Sequence, residues 1–172
     1  MNDQIKKIRQ YFLISGLIKF TDDVNNSNGY KNKLMKVIAL RGPENSGKSH
    51  TLNVVYQFLL RDGYIQVPGH FIGLGNPKFE DILDILEKGS KKVGVCGMGD
   101  YQKGGGSLMI LLDDLEKRGC DVVVCCCRNI TAIEKAVSAY SNHVFINKTI
   151  SSGPENHRVV NGFDAEQMFG LV

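Results

Sequence analysis

Several function classes are excluded by what this chain lacks. Across its 172 residues no apolar run approaches the roughly 18 needed to cross a bilayer as a helix. The N-terminus carries no signal-peptide cleavage pattern, so a cytoplasmic location and no membrane association are expected. Formal charge is only +3 and the lysines are scattered, so the charge balance does not point to nucleic acid. There is no internal repeat, heptad run, Ser-His-Asp order, Cys-His metal spacing or interleaving of aromatic with basic residues. Cysteine is present five times, with Cys125, Cys126 and Cys127 consecutive in an apolar strand. Successive strand side chains face opposite ways, so these three cannot form a metal cluster among themselves. They read as small buried hydrophobes in a reducing compartment.

What is present suits one ordinary globular domain, with 42% hydrophobic and 23% charged residues. The informative stretch is Gly42-Pro-Glu-Asn-Ser-Gly47-Lys48-Ser49, which fits G-x-x-x-x-G-K-[ST] at every fixed position. Residues 35–41 read as a buried strand entering it. Residues 49–60 place Leu52, Val55, Phe58 and Leu59 at helical spacing as the chain leaves. Two glycines let the backbone turn tightly and aim successive N–H groups into one anion-sized concavity at a helix N-terminus. Lys48 adds a mobile positive charge, and the Ser49 hydroxyl can reach a magnesium ion on the bound phosphates.

On these residues the sequence resembles the P-loop NTPase superfamily over about residues 34–150. The resemblance implies a nucleoside triphosphate bound with Mg2+ at Gly42, Pro43, Glu44, Asn45, Ser46, Gly47, Lys48, Ser49 and His50. His50 is expected to contribute only its backbone N–H. Adenine is the preferred base by frequency of use, so ATP is the expected ligand. Asn147-Lys148 resembles the Asn-Lys-x-Asp guanine-reading motif, but Ile150 stands where the carboxylate belongs. That leaves at most a lysine stem lying along a base.

Strand-helix alternation with non-alternating apolar strands predicts an α/β fold, a mostly parallel sheet of about five strands with helices on both faces. Three stretches are expected. Residues 1–20 form an amphipathic helix presenting Ile5, Ile8, Phe12 and Leu17, residues 21–33 a polar linker, and residues 34–172 the nucleotide-binding domain. Packing on the domain's own sheet is the favoured reading of the N-terminal helix, ahead of a protein contact, self-association or a membrane-surface helix. Short strands are expected at 64–67 and 70–74, a helix at 79–88, a strand at 92–97 and a helix at 107–118. Beyond these come a strand at 121–127, a helix from a capping box at Thr131 to about Ser141, a strand at 143–147 and one or two helical turns after Asp164.

The second metal-binding carboxylate has two candidates. Asp100 follows the 92–97 strand at the edge where ligands of such sheets collect. Asp113 and Asp114 end an apolar run that looks like a strand by letters alone. If 108–112 were a strand parallel to the next, about nine residues would join them, whereas a parallel crossover needs about a dozen or more. The segment therefore reads as a helix, Asp113 and Asp114 as solvated acids at its end, and Asp100 as the metal ligand beside Ser49. Arg128, at the end of the 121–127 strand, can stabilise charge on a transferring phosphoryl group or form a surface ion pair. Lys103 with three following glycines suits a loop over phosphates.

Lys48, Asp100 and Arg128 thus make up the expected catalytic set of a magnesium-dependent NTPase. No Glu follows Asp100 to activate water, so slow turnover without a partner is expected. Two alternatives stand beside this reading. One is a small kinase passing the γ-phosphoryl group to a hydroxyl acceptor, although residues 128–143 lack the arginine-rich lid typical of nucleotide kinases. The other is a non-catalytic nucleotide sensor acting through a partner.

Overall fold

The computed structural model describes residues 34–74, 81–97 and 107–172. The expected N-terminal helix and linker, Asp100 and Lys103 lie outside the described residues.

Seven strands form one mixed sheet, with four α-helices among the described residues. Strand β1 is Lys36–Gly42, followed by helix α1, Lys48–Arg61. Two short strands follow, β2 at Ile65–Gln66 and β3 at Ile72–Leu74. A hairpin of β4, Asp81–Lys88, and β5, Lys91–Cys96, precedes α2, Leu108–Lys117. Then come β6, Val122–Arg128, α3, Thr131–Ser138, and β7, His143–Asn147. A 3-10 turn at Pro154–Asn156 leads into α4, His157–Phe169.

The spatial order is β2-β4-β5-β6-β1-β7, with β3 also on β4. Strands β5, β6, β1 and β7 run parallel, in registers such as Ile38 opposite Val124 and Val144. Because β4 is antiparallel to β2, β3 and β5, it alone runs against the other six. This reversal brings the first residue of β4 to the edge where the parallel strands end.

Both faces of the sheet are covered, which is why its strands are apolar on both sides. Ile38 and Leu40 of β1 pack in one cluster with Leu52, Val55 and Leu59 of α1 and Ala165 and Met168 of α4. Val37 and Ala39 pack in the other, with Leu111, Leu112 and Leu115 of α2 and Ile133 and Val137 of α3. The consecutive cysteines divide the same way, Cys126 to the first cluster and Cys125 and Cys127 to the second. Burial pushes the Cys127 thiol up to about 12, with Glu134 adding to the effect. It is a packing residue, as its setting predicts.

Several expectations need correction. The helix expected at 79–88 is a strand over Asp81–Lys88. Its apolar residues at 82, 83, 85 and 86 imitate a helical stripe only because both faces of the strand are buried. Ile82 and Leu86 meet the α1 cluster, while Leu83 and Ile85 meet the α2 cluster. That unexpected strand, added to those at the six stretches where strands were expected, gives the sheet seven strands rather than about five. The C-terminal turns are a full helix of 13 residues. The capping box at Thr131 does not form, for Ile130 is the cap residue without a side-chain bond. Glu134 instead pairs with Arg41 at 3.4 Å. Residues 108–117 are a helix as the crossover length requires, but Asp114 is buried against Arg118, at 2.7 Å, rather than solvated.

Candidate functional site

Residues 43–47 link the end of β1 to α1 as a tight loop. Gly47, at φ +88°, lies in the left-handed region that side chains avoid. A Cβ there would also stand 3.1 Å from Asn161 Oδ1 of α4, so the space as well as the dihedral calls for glycine. The first turn of α1 closes through Thr51 N to Gly47 O at 3.0 Å. Thr51 Oγ1 also donates to Asn161 Oδ1 at 3.2 Å, tying α4 to the loop.

Inside the loop the side chains answer one another. The Lys48 ammonium is buried and donates to Pro43 O at 2.5 Å, folding back across the concavity. Ser46 Oγ donates to the same carbonyl at 2.8 Å. Arg128, at the end of β6, pairs with Glu44 of the loop. The guanidinium expected at the ligand edge is therefore there, held by a loop carboxylate.

The residue missed from sequence is Asp81. Its Oδ1 accepts a hydrogen bond from Ser49 Oγ at 2.6 Å. The reversed direction of β4 puts this carboxylate across from the loop. Gly97, just past β5, lets it sit so close. A Cβ on Gly97 would fall 2.8 Å from Ile82 N and 3.0 Å from Asp81 Cα. Gly97 N instead bonds Ile82 O at 2.7 Å. A cavity of about 390 Å³ is bounded by the loop, Ser49, Asp81, Gly97, Cys126 and His157.

Lys148 does not lie open to a base. It is buried, and its ammonium sits 2.7 Å from Asp164 Oδ2 of α4 and 2.8 Å from Thr149 O. Its stem passes 3.7 Å from where a Gly47 Cβ would stand. Asp164 also accepts from Thr149 N at 3.0 Å and Thr149 Oγ1 at 2.6 Å. This lysine is a buttress of the loop. Asp113 lies within 3.5 Å of the Tyr140 hydroxyl, on the α2 and α3 side of the sheet.

Chemically, the site offers loop amides and an ammonium for an anion, with a hydroxyl and a carboxylate side by side. Among the described residues no group of three His, Cys, Asp or Glu would hold a metal ion unaided. Ser49 and Asp81 supply two hard oxygen donors. That set fits magnesium, which keeps waters and takes phosphate oxygens for its remaining positions. Among the described residues no helix is long and apolar enough to cross a membrane. Comparison with protein-family models, curated proteins and solved structures gives no match to this chain.

Proposed function

We propose that the protein binds a nucleoside triphosphate, ATP by preference, on the 42–49 loop and hydrolyses its β–γ bond with magnesium. The observation that carries this reading is the 2.6 Å contact between Ser49 Oγ and Asp81 Oδ1, beside the loop's ammonium. In this reading Asp81 takes the metal-positioning role first expected of Asp100.

Magnesium, when bound, neutralises charge on the β- and γ-phosphates. The chain's own residues do the rest. Loop amides at the start of α1 donate hydrogen bonds to phosphate oxygens, where the aligned peptide dipoles favour negative charge. Lys48 exchanges Pro43 O for a phosphate oxygen and stabilises the charge that grows on it. Ser49 and Asp81 would be the side chains that hold the metal when it is bound. Arg128, freed from Glu44, supplies a second cation toward the leaving phosphate oxygens.

The test is phosphate release from ATP and GTP with magnesium, comparing wild type with Lys48→Ala. Expected is release from the wild type and a loss of at least about a hundredfold in the variant, the scale of removing one transition-state donor. Equal release by both would overturn the assignment of the loop. Nucleotide binding without release would favour the kinase or the sensor.

A further inference from the structure

A larger cavity, about 760 Å³, adjoins the first and shares His50 with it. Its floor is the outward stripe of α1. His50, Asn53, Val54, Gln57 and Arg61 recur at intervals of three and four, on the face opposite buried Leu52, Val55 and Leu59. The stripe runs about 16 Å along the helix, at about 1.5 Å per residue. Phe71 and Ile82 stand on one side, with Arg158 and Asn161 of α4 on the other.

The lining has a definite chemistry. Arg61 and Arg158 are exposed, and among the described residues neither is paired with a carboxylate. Val54, Phe58 and Phe71 provide apolar and ring surface, and Phe71 is 45% exposed although it belongs to no hydrophobic cluster. Asn53, Gln57 and Asn161 carry carboxamides, each both donor and acceptor. Guanidinium groups pair with phosphate or carboxylate in two-pronged fashion and stack on flat rings. A volume of this size lies within the range of small-molecule sites.

We propose that this cavity is a second ligand site, taking a planar, ring-bearing anion of nucleoside monophosphate size beside the 42–49 loop. Charge complementarity selects this occupant. Arg158, one turn before Asn161, holds the anionic end near the loop, the ring rests against Phe71 and Phe58 with Arg61 facing it from the far end of the groove, and the carboxamides read the ring's polar edge. Asn161 links the sites physically, because it lines this cavity and bonds Thr51 at the base of the loop.

The inference builds on the triphosphate reading only for the neighbour of this ligand, so the two are tested apart. The full chain is titrated by calorimetry with AMP, GMP, CMP and UMP, and by fluorescence with 8-anilinonaphthalene-1-sulfonate. Each titration is run on wild type saturated with an imido analogue of ATP and on Lys48→Ala. Expected is saturable one-to-one binding of at least one probe in both proteins. Arg61→Gln, Arg158→Gln and Phe71→Ala should each weaken it at least tenfold, with melting temperatures unchanged because all three side chains are exposed. Binding of the sulfonate without any monophosphate would support the site and redirect the search to another ring-bearing acid. No saturable binding by any probe, or binding indifferent to all three substitutions, would overturn the proposal. Binding to the wild type that disappears in Lys48→Ala would also overturn it, since the probe would then occupy the loop itself.

Discussion

The two flanks of the 42–49 loop are built on opposite electrostatic plans. On the β7 and α4 flank, the buried Asp164 carboxylate is compensated by the Lys148 ammonium and by two donors of Thr149. On the β4 flank, the equally buried Asp84 has only neutral hydrogen-bond partners among the described residues. It accepts from Tyr56 Oη at 2.7 Å, Gln66 Nε2 at 3.0 Å and Ile85 N at 2.8 Å. Three residues before it, Asp81 reaches the cavity rather than the core. One flank therefore spends its charges on holding α4 to the loop. The other holds its strand with neutral hydrogen bonds and presents a carboxylate to the ligand. The difference separates scaffold from chemistry, and substitutions on each side should separate them in measurement.

The largest effect on stability should come from the ionic flank. Lys148→Met leaves Asp164 buried without a counter-charge, and breaking such a pair costs about 3–5 kcal/mol. Urea unfolding should show that loss. Lys148→Met combined with Asp164→Leu should recover most of it, because a well-packed apolar pair replaces a buried ion pair at little cost. If the double variant is no better than the single, the charges are not what this flank relies on.

On the opposite flank Asp81→Asn should do the reverse, leaving stability nearly unchanged while lowering magnesium-dependent phosphate release by about 10²–10³-fold. The asparagine can still accept from Ser49, so the fold keeps its contact while the site loses its charge. Asp113→Asn serves as the control and should leave release within about twofold, since that carboxylate sits on the other side of the sheet from the loop. An equal loss in both variants would mean that neither acts through the metal.

The contrast also explains what the sequence could disclose. The parallel strands and the loop follow from local pattern. Apolar runs such as 37–40 and 122–127 are buried on both faces, and glycines with Lys48 and Ser49 at fixed spacing need no distant partner. Asp81 was not legible in this way. It matters because β4 runs backwards, and that follows from pairing with β3 and β5, residues distant from the loop. The same double burial that makes β4 a core strand gives it a helical spacing of apolar residues. Asp84, inside that pattern, would read as the polar side of a helix, yet it is buried because Tyr56 and Gln66 reach it from two other elements. Lys148 was equally opaque, since its partner Asp164 lies on a helix that sequence pattern reduces to a turn or two. Arg128 was placed correctly at the sheet edge because strand ends can be read locally. Its partner Glu44 could be found only from the fold.

Tyr56→Phe tests the neutral flank directly. Burial first, and then the Asp84 carboxylate it bonds, push the Tyr56 hydroxyl well above its ordinary value. The group is therefore a proton donor throughout the accessible pH range. Removing it deprives a buried carboxylate of one of its three donors, which should cost about 1–3 kcal/mol, less than the ionic flank loses in Lys148→Met. Gln66 is an exposed residue, yet its carboxamide donates to both Tyr56 and Asp84, so it can take up part of the deficit. A loss as large as that of Lys148→Met would erase the distinction between the two flanks.

The smallest effect should come from a charge pair that belongs to neither flank's interior. Asp62 and Lys88 meet at 2.8 Å where α1 ends beside the β4–β5 turn, with both side chains about half exposed. Water screens that attraction and two side chains must be held still to make it, so such pairs contribute only about 0.2–1 kcal/mol. Lys88 also lies 5.7 Å from the Tyr64 ring, a contact that survives loss of the carboxylate. Asp62→Asn should accordingly shift the urea midpoint little, and raising the salt concentration should shrink even that difference. A shift comparable to Tyr56→Phe would show that the end of α1 is anchored by charge, and that the ionic plan of the α4 flank extends around the helix to β4.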